Sequence, residues 1–171
     1  AGVLEKGTLR VLTRSTSTTY YYDEEGPSGP EYDLTLSFAA YLGVEVEFVA
    51  KDGIRELLDA LADGEGHLVA AGITRTPDRE AVYRFGPDYS FVQQQVVCRR
   101  GGAMPESPAD LVGRSVAVLP HSSYVETLTA WHRELPKLRW HVSDRPTTEQ
   151  VLQSVVEGKV DCTLADSNIV A

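Results

Sequence analysis

The stretch VEVEFVAKDGIRELLDALADGEGHLVAA (Val44–Ala71) sets the fold class. Val44 to Val49 alternates apolar and acidic residues, the period of a strand with one covered face. Ile54, Leu57, Leu58 and Leu61 then recur at helical spacing, and Gly64 follows as a stop. Leu68 to Ala71 is a second short apolar run. Strand, helix and strand in succession is the unit from which parallel α/β sheets are built.

Working outward, the same alternation covers the chain. Thr8–Thr13 reads as a strand after Gly7. Ser28 and Glu31 have capping-box spacing ahead of a helix that Gly43 ends. Beyond an extended run at residues 90–99, Ser115–Leu119 is a strand. Ser123 and Glu126 form a second box, opening a helix to about Arg133. Leu138–Val142 is strand-like. Thr147 and Gln150 form a third box before a helix that Gly158 stops, and Val160–Ala165 is the last strand.

The pattern predicts a mainly parallel α/β fold of two lobes, residues 1–88 and 89–171, joined by extended segments near residues 86–101. Ligands of open α/β sheets bind beyond the carboxyl ends of the strands. The loops at Thr13–Tyr22, Gly72–Arg79, Pro120–Ser123 and Ala165–Asn168 are those ends, and are expected to face one cleft.

Composition narrows the function classes. With 171 residues, 42% apolar and 24% charged, the chain has material for a core. A net charge of −9 argues against non-specific binding to nucleic acid or anionic membrane. No apolar run reaches the roughly 18 residues that a membrane helix needs. The opening Ala1-Gly2-Val3-Leu4 reads as a trimmed or engineered terminus, consistent with a removed signal. Cys98 and Cys162 lie far apart in apolar stretches, where two buried free thiols are expected ahead of a disulfide. Neither has metal-ligand spacing. Phosphate-loop and nucleophile-elbow motifs are absent, and His67, His121, His132 and His141 are scattered, so a catalytic triad is not expected. No metal or cofactor is expected.

Four candidates remain for binding. Thr76 and Pro77 suit a helix start, placing Arg79 in the first turn. Arg79 reads either as a surface arginine paired with Asp78 or Glu80, or as a fork for a carboxylate ligand. Ser122 and Ser123 sit where a helix N-terminus can take an anion, or merely cap it. Asp166, at a strand end, suits a ligand ammonium or a helix cap. Of Tyr20, Tyr21 and Tyr22, some can wall a pocket or simply pack.

Gly72-Ile73-Thr74-Arg75-Thr76-Pro77-Asp78-Arg79 follows a G-x-T-x-T-x-x-R pattern, and Gly29-Pro30-Glu31-Tyr32-Asp33-Leu34 a G-[FY]-[DE]-x-[DE]-L helix start. Pro120-His121-Ser122-Ser123 stands where Gly-Ser/Thr-Ser/Thr is usual, and Gly158–Asp161 leads into Asp166. In these motifs the chain resembles the bacterial family 3 extracellular solute-binding proteins. Within them it is most similar to the regulatory domain that precedes the catalytic domain of membrane-bound lytic transglycosylases. The resemblance implies the two-lobed periplasmic binding protein type 2 fold, ending here before the return to the first lobe. It implies a periplasmic domain, associated with the outer membrane through its parent protein, that is itself no enzyme. The partners implied are an amino acid or muropeptide and a transglycosylase catalytic domain; an importer's amino-acid-binding protein is the alternative. Arg79 and Ser123 would hold the ligand α-carboxylate and Asp166 the α-ammonium. Gly72 and Thr74 would add hydrogen bonds, Ser122 would support the anion site, and Tyr20 would wall the pocket.

Overall fold

The structure, a computed structural model, describes residues 2–170. These divide into two compact units, one running to Thr74 and one starting at Arg75.

In the first unit, α1 (Val3–Lys6) leads into β1 (Thr8–Thr13). A hairpin follows, β2 (Tyr21–Asp23) and β3 (Gly26–Ser28), then α2 (Pro30–Leu42), β4 (Glu45–Ala50), α3 (Ile54–Ala62) and β5 (Leu68–Val69). β1 is the central strand, parallel to β4 on one side and β5 on the other. Its side chains alternate between two layers, as pleating requires. Leu9 and Val11 pack with Ala39 of α2, whereas Leu12 packs with Leu57 and Ala60 of α3.

The expected capping box of Ser28 and Glu31 does not form. Ser28 is paired with Tyr21 in the hairpin, which leaves Gly29 as the N-cap, with no side-chain hydrogen bond. Gly29 has φ +128°, and a Cβ there would lie 2.3 Å from the Thr19 carbonyl oxygen, so only glycine fits. At the other end, Gly43 closes α2 in the left-handed conformation, as the sequence predicts.

The second unit holds α4 (Pro77–Glu80), β6 (Gln94–Cys98), a 3₁₀ turn (Pro108–Leu111), β7 (Ala117–Val118), α5 (Ser123–Glu134), β8 (His141–Val142), α6 (Thr148–Val156), β9 (Cys162–Asp166) and α7 (Ser167–Val170). β7 and β8 are parallel, and a bridge from Val116 to Cys162 joins β7 to β9. Val116 and Val118 share a cluster with Leu128 of α5, while Ala117 packs with Val151 and Val155 of α6. Thr147 caps α6 by accepting from the Gln150 N–H.

One pairing in this unit departs from the parallel majority, and it carries one correction. β6 runs antiparallel to β9, so the unit is not uniformly parallel. That register sets Cys98 opposite Cys162, their Cα atoms 4.1 Å apart, and the two form a disulfide in place of free thiols.

Candidate functional site

The second unit gathers four of the expected residues. Thr76 caps α4, its hydroxyl accepting from the Arg79 N–H at 3.3 Å, with Pro77 in the first turn. Arg79 is thereby carried inward and is only 7% exposed. Glu80 pairs with Arg75. Arg79 Nη2 donates to the His121 carbonyl at 3.0 Å, and Arg79 Nε lies 3.5 Å from Glu126 Oε1. Burial pulls the Arg79 pKa down, against the opposing pull of Glu126 and Asp166.

Among the described residues, His121 is the non-glycine residue with positive φ, at +57°. Left-handed backbone is uncommon for a residue with a Cβ, though histidine tolerates it better than most. The conformation accompanies the turn that offers the His121 carbonyl to Arg79.

Ser122 is the N-cap of α5 and Ser123 its first residue. This corrects the second capping box: Glu126 falls one position past the slot a box requires, and its carboxylate turns to Arg79. Ser122 Oγ donates to the Leu119 carbonyl at 2.6 Å, and Ser123 Oγ accepts from Gln94 Nε2 at 3.0 Å. Both serines are buried, at a helix end whose first N–H groups have no acceptor within the helix.

Asp166 ends β9 opposite Gln94. Its N–H donates to the Tyr124 hydroxyl at 3.0 Å. Its carboxylate also hydrogen-bonds that hydroxyl, yet Oδ1 is buried with no hydrogen-bond partner among the described residues. Desolvation raises the Asp166 pKa, and the Tyr124 hydrogen bond and the Arg79 charge only partly offset it. Burial and the adjoining Asp166 charge likewise push the Tyr124 phenol up. A buried cation and a desolvated anion within electrostatic reach of each other suit a zwitterion.

The first unit holds the other three residues. Gly72 has φ +60°, and its N–H donates to Glu31 Oε1 at 2.9 Å. Glu31, freed from capping, is buried and so fixes the start of the Gly72–Thr74 segment. Thr74 is half-buried, outside any helix or strand. Tyr20 is buried; its ring stacks on Phe48 at 5.2 Å and its hydroxyl donates to Tyr22 at 3.0 Å. Burial first, and the Tyr22 contact next, raise its pKa to about 12.

Sequence reasoning missed Glu126, Gln94, Tyr124 and the contact of Glu31 with Gly72. The Ser-x-x-Glu spacing assigned both glutamates to caps, and Gln94 carried no signal beyond being polar in an extended run.

Among the described residues, no cluster fit for a metal occurs and no helix is long and apolar enough to cross a membrane. The architecture is that of the type 2 periplasmic amino-acid-binding proteins. An ancestral arginine-binding protein bound to arginine aligns with TM-score 0.83 and 28% identity, over 96% of this chain and 72% of that one. An ancestral amino-acid-binding protein, a precursor of cyclohexadienyl dehydratase, aligns with TM-score 0.84 and 28% identity, over 98% of this chain and 73% of that one. Residues 9–139 match the family model, and the chain belongs to the bacterial extracellular solute-binding proteins, family 3. The membrane-bound lytic murein transglycosylase F of Maricaulis maris (strain MCS10) is 42% identical over 170 residues, 99% of this chain. The chain spans 37% of that relative's length.

Proposed function

We propose that this domain is a non-catalytic sensor that binds an amino acid or a short cell-wall peptide by its α-carboxylate and α-ammonium. The observation that carries the reading is the pair in the second unit: a buried guanidinium at Arg79 within electrostatic reach of Asp166, whose buried Oδ1 has no hydrogen-bond partner among the described residues. Arg79 and the α5 start at Ser122 and Ser123 take the carboxylate, and Asp166 takes the ammonium. Gly72, Thr74 and Tyr20 of the first unit are carried as ligand-binding residues by the family resemblance alone. The names of the relatives support a periplasmic parent protein with lytic transglycosylase activity, which solute binding would regulate. No bond-breaking role is assigned to this chain.

The second reading is transport of a free amino acid, favoured by the arginine-bound structure among the neighbours. It would make the protein the binding component of an importer. A thermal-shift and calorimetric screen separates the two. The panel holds the common L-amino acids and peptidoglycan stem peptides, with Arg79→Ala as control. Stabilisation by stem peptides, lost in Arg79→Ala, supports the cell-wall sensor; stabilisation by one free amino acid supports the importer. Tight binding that survives Arg79→Ala removes the carboxylate assignment.

A further inference from the structure

We propose that Glu126 is a built-in competitor for the solute's carboxylate: it holds the Nε edge of Arg79 in the empty protein and must leave when a solute binds. The inference rests on the solute-binding reading above.

The two partners of this ion pair are unequal. The Arg79 side chain is 8% exposed and anchored to the His121 carbonyl, whereas the Glu126 side chain is 33% exposed. The cation is fixed and the anion is wet, so Glu126 is the partner that can move. At 3.5 Å the contact is at charge-pair distance and at the outer limit of a hydrogen bond. A guanidinium fork binds a carboxylate best through two parallel N–H donors. A solute carboxylate that grips two donors therefore outcompetes Glu126.

Charge balance points the same way. One buried cation faces two carboxylates, since both Glu126 and Asp166 act on Arg79. A zwitterion brings a cation for Asp166 and an anion for Arg79, leaving Glu126 as the surplus charge to return to water. The helix start does not need Glu126 as a cap, because Ser122 holds the N-cap position and Glu126 lies beyond the capping-box slot. The competitor would also set specificity. Anions that make only one contact gain too little to displace it.

The test uses Glu126→Gln, which keeps the side-chain volume, and Glu126→Asp, which keeps the helix-start charge but draws it back by one methylene. Calorimetric titrations would use L-arginine, L-glutamine and the stem peptide L-alanyl-γ-D-glutamyl-meso-diaminopimelate. The nitrogen-15 Nε–Hε resonance of Arg79 serves as a ligand-independent readout. Both variants should shift that resonance in the empty protein. Both should bind a solute about two- to fivefold more tightly, the range expected for losing a half-wet ion pair. The advantage should shrink as salt is raised. Binding that is unchanged or weaker in both variants, with wild-type affinity still lost in Arg79→Ala, overturns the competitor role while leaving the solute-binding reading intact. It would make Glu126 a contact for a solute cation. Absence of binding by all three probes in every variant removes the solute-binding reading and this inference with it.

Discussion

Asp166→Asn should stabilise the empty protein at neutral pH while weakening solute binding. The reasoning starts from a buried Oδ1 with no hydrogen-bond partner and a carboxyl whose pKa is raised chiefly by desolvation. That net direction already includes the Arg79 attraction and the Tyr124 hydrogen bond. With the folded pKa above the unfolded value of about 3.9, the unfolded chain loses its proton first as pH rises. Stability therefore falls as pH rises through the folded pKa, and above it the whole penalty is present. An unsatisfied buried polar group costs about 1–3 kcal/mol; asparagine keeps a polar oxygen and relieves only the charge, and Asp166 is part-exposed, so about 1–1.5 kcal/mol of that is recovered. For a chain of this size, 1 kcal/mol moves Tm by about 2–4 °C. Calorimetry at pH 7 should show Asp166→Asn melting about 2–6 °C above wild type. The gap should close at low pH, where wild-type Asp166 is protonated in both states. A variant that melts below wild type at pH 7 would refute the argument. The carboxylate would then be net stabilising through Arg79 and Tyr124, with no unmet demand for a ligand cation.

Three further substitutions probe the frame around the site. Gly29→Ala adds left-handed strain of about 1–3 kcal/mol to a backbone clash worth about as much again, and should lower the denaturant midpoint sharply; a midpoint close to wild type would mean the Thr19 loop moves freely. His121→Val should lose about 1–2 kcal/mol because a β-branched side chain resists φ +57°, whereas His121→Gly should stay within about 1 kcal/mol of wild type; equal chemical-denaturation curves for the two would show that the left-handed turn is not held. Thr147→Ala removes the hydroxyl that accepts from Gln150 and should cost about 1 kcal/mol by the same assay, with α6 amides exchanging faster.

Much of the fold was legible because it is local. Strand periodicity in Thr8–Thr13 and helical spacing in Ile54–Leu61 each identify an element without reference to the rest of the chain, and both elements stand where they were read. Glycine stops at Gly43 and the cap at Thr147 are equally local. Capping boxes were less secure, because the same Ser-x-x-Glu spacing serves any short contact within one turn. At Ser28 a hairpin claimed the serine, and at Ser123 the N-cap is the preceding residue, Ser122. In both cases the displaced glutamate found a distant partner, Gly72 or Arg79, that no window of sequence contains. For Arg79, burial was similarly unreadable, since it depends on α4 turning the side chain toward α5.

The disulfide and the candidate site are consequences of one register that the sequence does not display. Antiparallel pairing of β6 and β9 sets Cys98 against Cys162, Val96 against Leu164 and Gln94 against Asp166. Alternate residues of a strand share a face, so these three pairs form a single ladder. Cys162 and Leu164 of that ladder lie in the cluster with Tyr124 and Leu128, on the side of α5. The ladder therefore passes from a covalent link, through an apolar pair, to a polar pair beside the α5 start. At that last step Gln94 reaches Ser123, and Asp166 reaches Tyr124. A one-residue slip would turn every one of these side chains to the opposite face. The disulfide opposes such a slip, so it acts at a distance on the site: it fixes which face Asp166 presents. Reading the cysteines as free thiols and Asp166 as either ligand contact or cap were thus two forms of the same missing information, the pairing of strands separated by about sixty residues of chain.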